Sequence, residues 1–245
     1  MLPQTDQPEL QNFVWNEMAD TAMVGSQVYN LLAIVFRDVP SAAFLEQLKT
    51  AEFASALRDV QLDLDHAYLQ RPTRQLREEL CVEFTRLFCG PGKHISPHES
   101  VQLHMNSGSL WGPKTAEVKR FIELAGFDFV TSFNGIPDHI SVELEFLSKL
   151  TLKEAESWQQ RSGKAAGNAM EWQLEFIAEH AGKWIADFCH KVSEQAQTPF
   201  YDVFASLLRR FLAAERAEIP ARLMIAFSEP GVDVPDGGNG DAQTA

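Results

Sequence analysis

Cysteine is scarce in this sequence: three in 245 residues, Cys81, Cys89 and Cys189, odd in number and widely spaced. That excludes a disulfide framework and gives no zinc-knuckle spacing, so each reads as a small core residue. Positive charge is also short. There are 21 Lys and Arg against 34 Asp and Glu, a formal net charge of −13. A chain this acidic, with no long basic run, is a poor binder of nucleic acid or anionic lipid. Its acidity suits a positively charged partner such as a basic peptide, or simply keeps the protein soluble. No apolar run reaches the ~20 residues of a membrane span. The opening stretch MLPQTDQPELQ has neither a basic n-region nor an apolar h-region. Arg209-Arg210 lies deep in a helix-like stretch, not in an export signal. These absences predict a cytoplasmic protein with no stable membrane insertion.

Alternating strand patterns and internal repeats are missing too. What is present is helical periodicity, in a chain whose 45% hydrophobic content is enough for a real core. Residues 9 to 37 carry apolar positions at three- and four-residue spacing, with Gly25 a point where the segment could bend or divide. Pro40 stops it, and Ser41 suits the N-cap of the next helix. Shorter helices are expected through Leu57 and around Leu62 to Leu69. RPTRQLREELCVEFTRLF reads as a strong helix, and KTAEVKRFIELAGF as another, ended by Gly126. QQRSGKAAGNAME reads as a turn or loose helix. An aromatic-rich helix follows over 170 to 194, and a last one over roughly 200 to 217. The predicted fold is all-α, a single bundle of roughly ten helices. The main domain spans 1 to 227; from Ser228 the tail holds no large apolar side chains beyond two Val and is expected to be disordered.

Function then falls to the loops near 90 to 100 and 127 to 138, longer than a plain bundle needs. Gly90-Pro91-Gly92 is rich in turn formers, but Lys93-His94 replaces the Lys-Ser/Thr of a phosphate loop and a helix, not a strand, precedes it. A helix cap with a tight turn is the simpler reading. His94, His98 and His104 resemble scattered metal ligands around Glu99, but Pro97 breaks the helix that would align them. The stretch IPDHISVELEFLSKL poses a sharper problem. Wound as a helix from Asp138 as N-cap, it sets Ile140, Val142, Leu144, Phe146, Leu147 and Leu150 on one apolar arc. Ser141, Glu145, Ser148 and Lys149 take the opposite, wet face, while His139 and Glu143 fall inside the apolar arc. A polar pair aimed into a core is costly unless satisfied. Four readings account for it: two ligands of a metal-dependent enzyme, an acid-base pair, a buried network pinning the Gly-Pro loop, or a polar spot in an apolar binding groove.

Two stretches in order, EFTRLFCGPGKHISPHESV and IPDHISVELEFLSKL, with a helix ending ELAGF between them, resemble the TorD/DmsD/NarJ family of molybdoenzyme-maturation chaperones. The match rests on Phe84, Leu87, Phe88, Gly90, Pro91, Gly92, Pro97, Ser100, Gly126, Pro137, Asp138, His139, Ile140, Glu143, Leu144 and Phe146. It spans about residues 83 to 150, and the tail beyond Ser228 lies outside it. Many relatives carry an aromatic after the loop proline, where this chain has His98 and then Glu99; that departure bears on which cargo is recognised.

The resemblance implies an all-α, non-enzymatic, cytoplasmic chaperone with no cofactor of its own. Its partners would be an apo-molybdoenzyme catalytic subunit and that subunit's basic twin-arginine signal peptide, held until the molybdenum cofactor is inserted. Parts of the family bind GTP weakly or form domain-swapped dimers. Such a receptor needs an apolar groove with carboxylates at one end. Leu87, Phe88 and the apolar face of 139 to 150 would form the groove. Asp138, Glu143 and Glu99 would meet the arginines. His139 would position a carboxylate, and Gly90, Pro91, Gly92, Pro97, Ser100 and Pro137 would shape the loop against the groove. The rivals are a metal-dependent enzyme using His139 and Glu143, and a guanine-nucleotide regulator using the Gly-Pro-Gly loop.

Overall fold

The structure, a computed structural model, describes residues 7–59, 64–90, 92–103 and 111–228. Pro91, His104 and the tail after Ser228 lie outside the described residues. Those described are helical almost throughout and form no strand; an isolated antiparallel bridge joins His98 to His139. No described helix is long and apolar enough to cross a membrane.

Helix α1, Gln7–Arg37, is continuous: Gly25 sits buried against Thr151 and does not divide it. Ser41 caps α2, Ala42–Leu48, by accepting from the Phe44 amide at 3.1 Å. Helices α3, Ala51–Asp59, and α4, His66–Leu69, lead to α5, Thr73–Phe84, which passes without a break into a π-helical turn, Thr85–Cys89. After the Gly-Pro loop come α6, Glu99–Gln102, α7, Pro113–Leu124, and α8, Phe129–Ser132. Gly126, at φ +90°, turns the chain after α7 as a left-handed residue should.

Helix α9, Ile140–Gln159, is the centre. It lies between α1 and α10, Gly163–Phe176, while the last helix α12, Pro199–Ser228, packs on α10 and on α11, Gly182–Gln195. The wet side of α9 is narrow: Glu145 and Lys149 are half-buried, and Leu152, Lys153 and Glu156 are exposed. Ser141 and Ser148, expected in water, are 2% and 8% exposed. Ser148 meets its burial by exchanging bonds with Ser26 across the α1–α9 contact: each hydroxyl donates to the other's carbonyl, at 2.8 and 2.9 Å.

Two stretches depart from expectation for packing reasons. Residues 163 to 176 are a firm helix, capped by Ser162, because Gly163 lets α12 come close; a Cβ there would lie 2.5 Å from the Ala226 carbonyl oxygen. Helix α12 runs eleven residues past the expected 217, to Ser228, in spite of Pro220. Proline removes one helix bond, but Arg222 and Ala226 anchor the chain beyond it, 5% and 3% exposed. Between α10 and α11 a second π-helical turn, Ile177–Ala181, interrupts the aromatic helix; the Gly182 amide reaches back to the Ile177 carbonyl. A Cβ on Gly182 would run into that same oxygen, so glycine is required there.

Candidate functional site: a buried polar cluster under the Gly-Pro loop

Backbone bonds first join the loop to the head of α9. The Ile140 amide donates to the Pro97 carbonyl and the Glu99 amide to the Asp138 carbonyl, each at 2.9 Å. This zipper places His98, Glu99 and Ser100 beside Asp138 and His139. The rings of His98 and His139 meet edge to face, 4.9 Å between centroids.

The capping roles are shifted from those expected. His139, not Asp138, is the N-cap of α9: its Nδ1 accepts from the Ser141 amide at 3.1 Å. Asp138 is fully buried and serves the next helix over, accepting from the Ser100 amide at the start of α6 at 3.1 Å. His98 Nδ1 stands 3.8 Å from its other oxygen, too far for a hydrogen bond. Burial pushes the Asp138 carboxyl up, but His98 and Ser100 outweigh it and hold it below the usual range. Burial, with His98 beside it, lowers His139 to about 4, so its imidazole is neutral at pH 7. A lysine at 138 would strip α6 of its cap and bury an unpaired charge, so that position cannot separate binding from folding.

Beneath this layer sit two fully buried glutamates. Glu99 takes His180 Nδ1 at 3.0 Å on one oxygen and Lys114 Nζ at 3.5 Å on the other. Glu143 accepts the indole N–H of Trp184 at 3.1 Å. Burial first, and then the charge of Glu99, raise Glu143 well above a normal carboxyl. Burial opposes the charge on Lys114, but Glu99 and Glu117 hold it on. One oxygen each of Asp138, Glu99 and Glu143 has no hydrogen-bond partner, as does the Ser100 hydroxyl. The cluster draws on the Gly-Pro loop, α6, α7, the second π turn, α9 and α11, and so ties the middle of the chain together.

Not every expected site residue joins it. Leu87 and Phe88 are 0% and 5% exposed and lie in the core, not along an open groove. The first π turn aims them inward, where Phe88 stacks on Phe188 at 5.9 Å and meets Phe84 and Tyr201 edge-on. Pro137 is buried, Gly90 and Pro97 are half-buried, and Gly92 is exposed. His94 is exposed, its Nδ1 3.3 Å from the Gly92 carbonyl oxygen. Among the described residues, no three His, Cys, Asp or Glu side chains come together as metal ligands would.

Three contributors escaped the sequence reading: Lys114, His180 and Trp184. A signal existed for two of them, since Phe176, His180 and Trp184 recur one turn apart and set a polar ring in an aromatic stripe. A second buried network was also unforeseen. Arg222 of α12 reaches Glu154 at 3.1 Å and Glu215 at 2.8 Å, Gln173 donates to Glu154 at 2.8 Å, and Thr151 donates to Gln173 at 2.9 Å. On the outer side of α1, α1, α2 and α3 enclose an open apolar groove of about 450 Å³.

Comparison with known proteins identifies the family. Residues 45–190 match the family model described as nitrate reductase delta subunit. The chain is 31% identical over 166 residues to the chaperone protein TorD of Salmonella arizonae, covering 61% of this chain and 75% of that one. It is 26% identical over 211 residues to the perchlorate reductase assembly chaperone protein of Dechloromonas aromatica, covering 83% and 93%. A crystal structure from Archaeoglobus fulgidus, provisionally assigned as a redox enzyme maturation protein, superposes with a TM-score of 0.50 at 22% identity, over 77% of this chain and 93% of that one. That last likeness speaks for the fold alone. With more than half of its length matched, and with both sequence motifs joined in one buried cluster, the chain belongs to the nitrate reductase delta subunit family, the group that includes the TorD and NarJ chaperones.

Proposed function

We propose that this protein is a cytoplasmic, non-enzymatic chaperone for a molybdoenzyme. It binds the apo catalytic subunit together with its twin-arginine signal peptide, and holds it until the molybdenum cofactor is in place. Family membership carries the reading, with relatives named for reductase assembly and for TorD.

The chemistry of the cluster supports binding over catalysis. Asp138, Glu99 and His139 are each committed to holding a helix end or a neighbouring side chain. Glu143 faces an indole inside the core. His139, locked as the cap of α9, and Glu143, buried against Trp184, make a rigid base for the Gly-Pro loop. Gly92 and Lys93 remain on the surface above it, where a client can reach them. The acidic balance of the chain favours a basic-headed peptide over nucleic acid or anionic lipid.

The test is affinity capture with the tagged chain from its anaerobically grown host, followed by mass spectrometry. Recovery of one molybdoenzyme subunit, without its cofactor and with its signal peptide uncleaved, is the expected result. Recovery of no molybdoenzyme from cells shown to express one would overturn the proposal.

A further inference from the structure

Helix α1 buries one side against α9, and its outward side carries a stripe with unusual content. Glu17, Asp20, Val24, Gln27, Leu31 and Ile34 follow one another at three- and four-residue spacing, so they share a face. Val24 and Ile34 are 51% and 39% exposed, beside Phe44 of α2 and Leu57 of α3, which are 7% and 4% exposed. Together with Leu31 and Phe53 they line the groove of about 450 Å³. That volume lies within the ~300–1,000 Å³ of ordinary ligand sites. Surface helices normally turn polar residues to water; here Val24, Leu31 and Ile34 lie open beside Gln27 and Asn30 over about 15 Å of α1, and the groove is lined mostly by apolar side chains.

Charge fixes what fits. One and two turns beyond Val24, the same stripe presents the exposed carboxylates of Asp20 and Glu17, and Glu52 adjoins Phe53 on α3. None of the three forms an ion pair among the described residues. Arg58, next to Leu57, is a cation on the α3 side. The chain's own residues 229–245 do not match this surface, since they carry Glu229, Asp233, Asp236 and Asp241 with no Lys or Arg. A second copy brings a further charge of −13.

We propose that this groove seats the apolar segment of the client's signal peptide, as a helix whose basic head lies over Glu17 and Asp20. The inference rests on the chaperone reading above and adds a place to it, apart from the buried cluster. An amphipathic helix laid in an apolar groove is a common mode of peptide recognition. The ~15 Å floor from Val24 to Ile34, mostly apolar with Gln27 and Asn30 along it, matches about ten helical residues, within the 7–15 or so of a signal peptide's apolar region. Carboxylates at one end set direction and speed encounter.

The probe is a fluorescein-labelled synthetic peptide with two arginines followed by about twelve Leu and Ala residues, titrated by anisotropy. The variants are V24D, I34D and the double reversal E17K/D20K, with E175K on the exposed side of α10 as control. V24D and I34D are expected to weaken binding about tenfold or more. E17K/D20K is expected to weaken it and flatten its salt dependence, and E175K to leave it unchanged. All substituted side chains are exposed, so the unfolding midpoints should stay near that of the parent; if either apolar variant fails to fold, the charge reversal decides alone. Equal affinity across the folded variants overturns the proposal. So does a parent chain that ignores the peptide yet still captures its client, an outcome that leaves the chaperone reading standing. Failure of both peptide binding and client capture removes both. A mass twice that of the chain, reverting to monomer in V24D without change in peptide affinity, would give the groove to a second copy.

Discussion

Trp184 of α11 donates its indole N–H to Glu143 of α9 across 3.1 Å, inside a core where the two residues are 1% and 0% exposed. Each explains the other: a buried carboxyl needs a donor, and a buried indole needs an acceptor. Burial holds Glu143 protonated in the fold at pH values where the unfolded chain, with an ordinary value of 4.5, has lost that proton. The folded state therefore binds more protons, and Glu143 makes stability fall as pH rises above 4.5 toward its folded value. Glu143→Gln keeps an acceptor for Trp184 and removes the charge. It should flatten the decline in stability as pH rises above 4.5, read from urea midpoints. Glu143→Leu leaves the indole unpaired and should cost about 1–3 kcal/mol.

His139 works in the opposite direction. Its folded value, near 4, is below the ordinary 6.5, so the unfolded chain takes up the proton first on acidification. Its contribution is complete above 6.5 and is lost as pH falls through about 4. His139→Ala should flatten that acid slope and cost about 1 kcal/mol from the missing cap of α9. Thermal midpoints of parent, His139→Ala and Glu143→Gln across the acid range separate the two slopes. A His139→Ala profile parallel to the parent's would refute the cap assignment.

Gly182→Ala tests the second π turn. The new methyl meets the Ile177 carbonyl oxygen, and relief requires re-winding the turn that carries His180 toward Glu99. The expected loss is about 1–3 kcal/mol, the usual penalty of overpacking, together with weaker client capture. Unchanged denaturant midpoints would mean the turn re-forms as plain α-helix at no cost.

Arg222 binds two carboxylates, Glu154 and Glu215, at 6% side-chain exposure. Arg222→Met leaves both buried without a counter-charge and should destabilise by about 3–5 kcal/mol. Adding Glu154→Gln and Glu215→Gln to that variant should recover much of the loss, because the burden is the stranded charge and not the missing packing. Calorimetry of the single and triple variants gives the comparison.

Much of this was legible in the residues. Ser41 as a cap, Pro72 near a helix start and Gly126 past a helix end follow local rules, and the structure obeys them. The two motifs pointed to a junction between the Gly-Pro loop and α9, and His98 pairs with His139 there. What failed depended on tertiary surroundings. A helical wheel assigns Ser141 and Ser148 to water with Glu145 and Lys149, but the wet side of α9 is narrower than the wheel shows, and both serines are buried while Glu145 and Lys149 are half-buried. Helical periodicity does set Phe88 on a buried face with Leu76, Leu80, Phe84 and Leu87, and all five are buried; it also sets Val82 there, which is 70% exposed, and only the family resemblance drew Leu87 and Phe88 to a groove. Lys114, His180 and Trp184 come to Glu99 and Glu143 from distant positions that no spacing rule connects. The groove escaped for the same reason, because Val24, Leu31 and Ile34 line it only together with Phe44 of α2 and Leu57 of α3, which spacing along α1 does not show.

The most direct test of the account is molybdenum content. The client's catalytic subunit would be purified from anaerobic cells that contain this chain, lack it, or carry it again on a plasmid, and its metal measured by mass spectrometry. The account predicts near-stoichiometric molybdenum with the chain present, a large fall without it, and recovery on complementation. Equal molybdenum in all three preparations would contradict it.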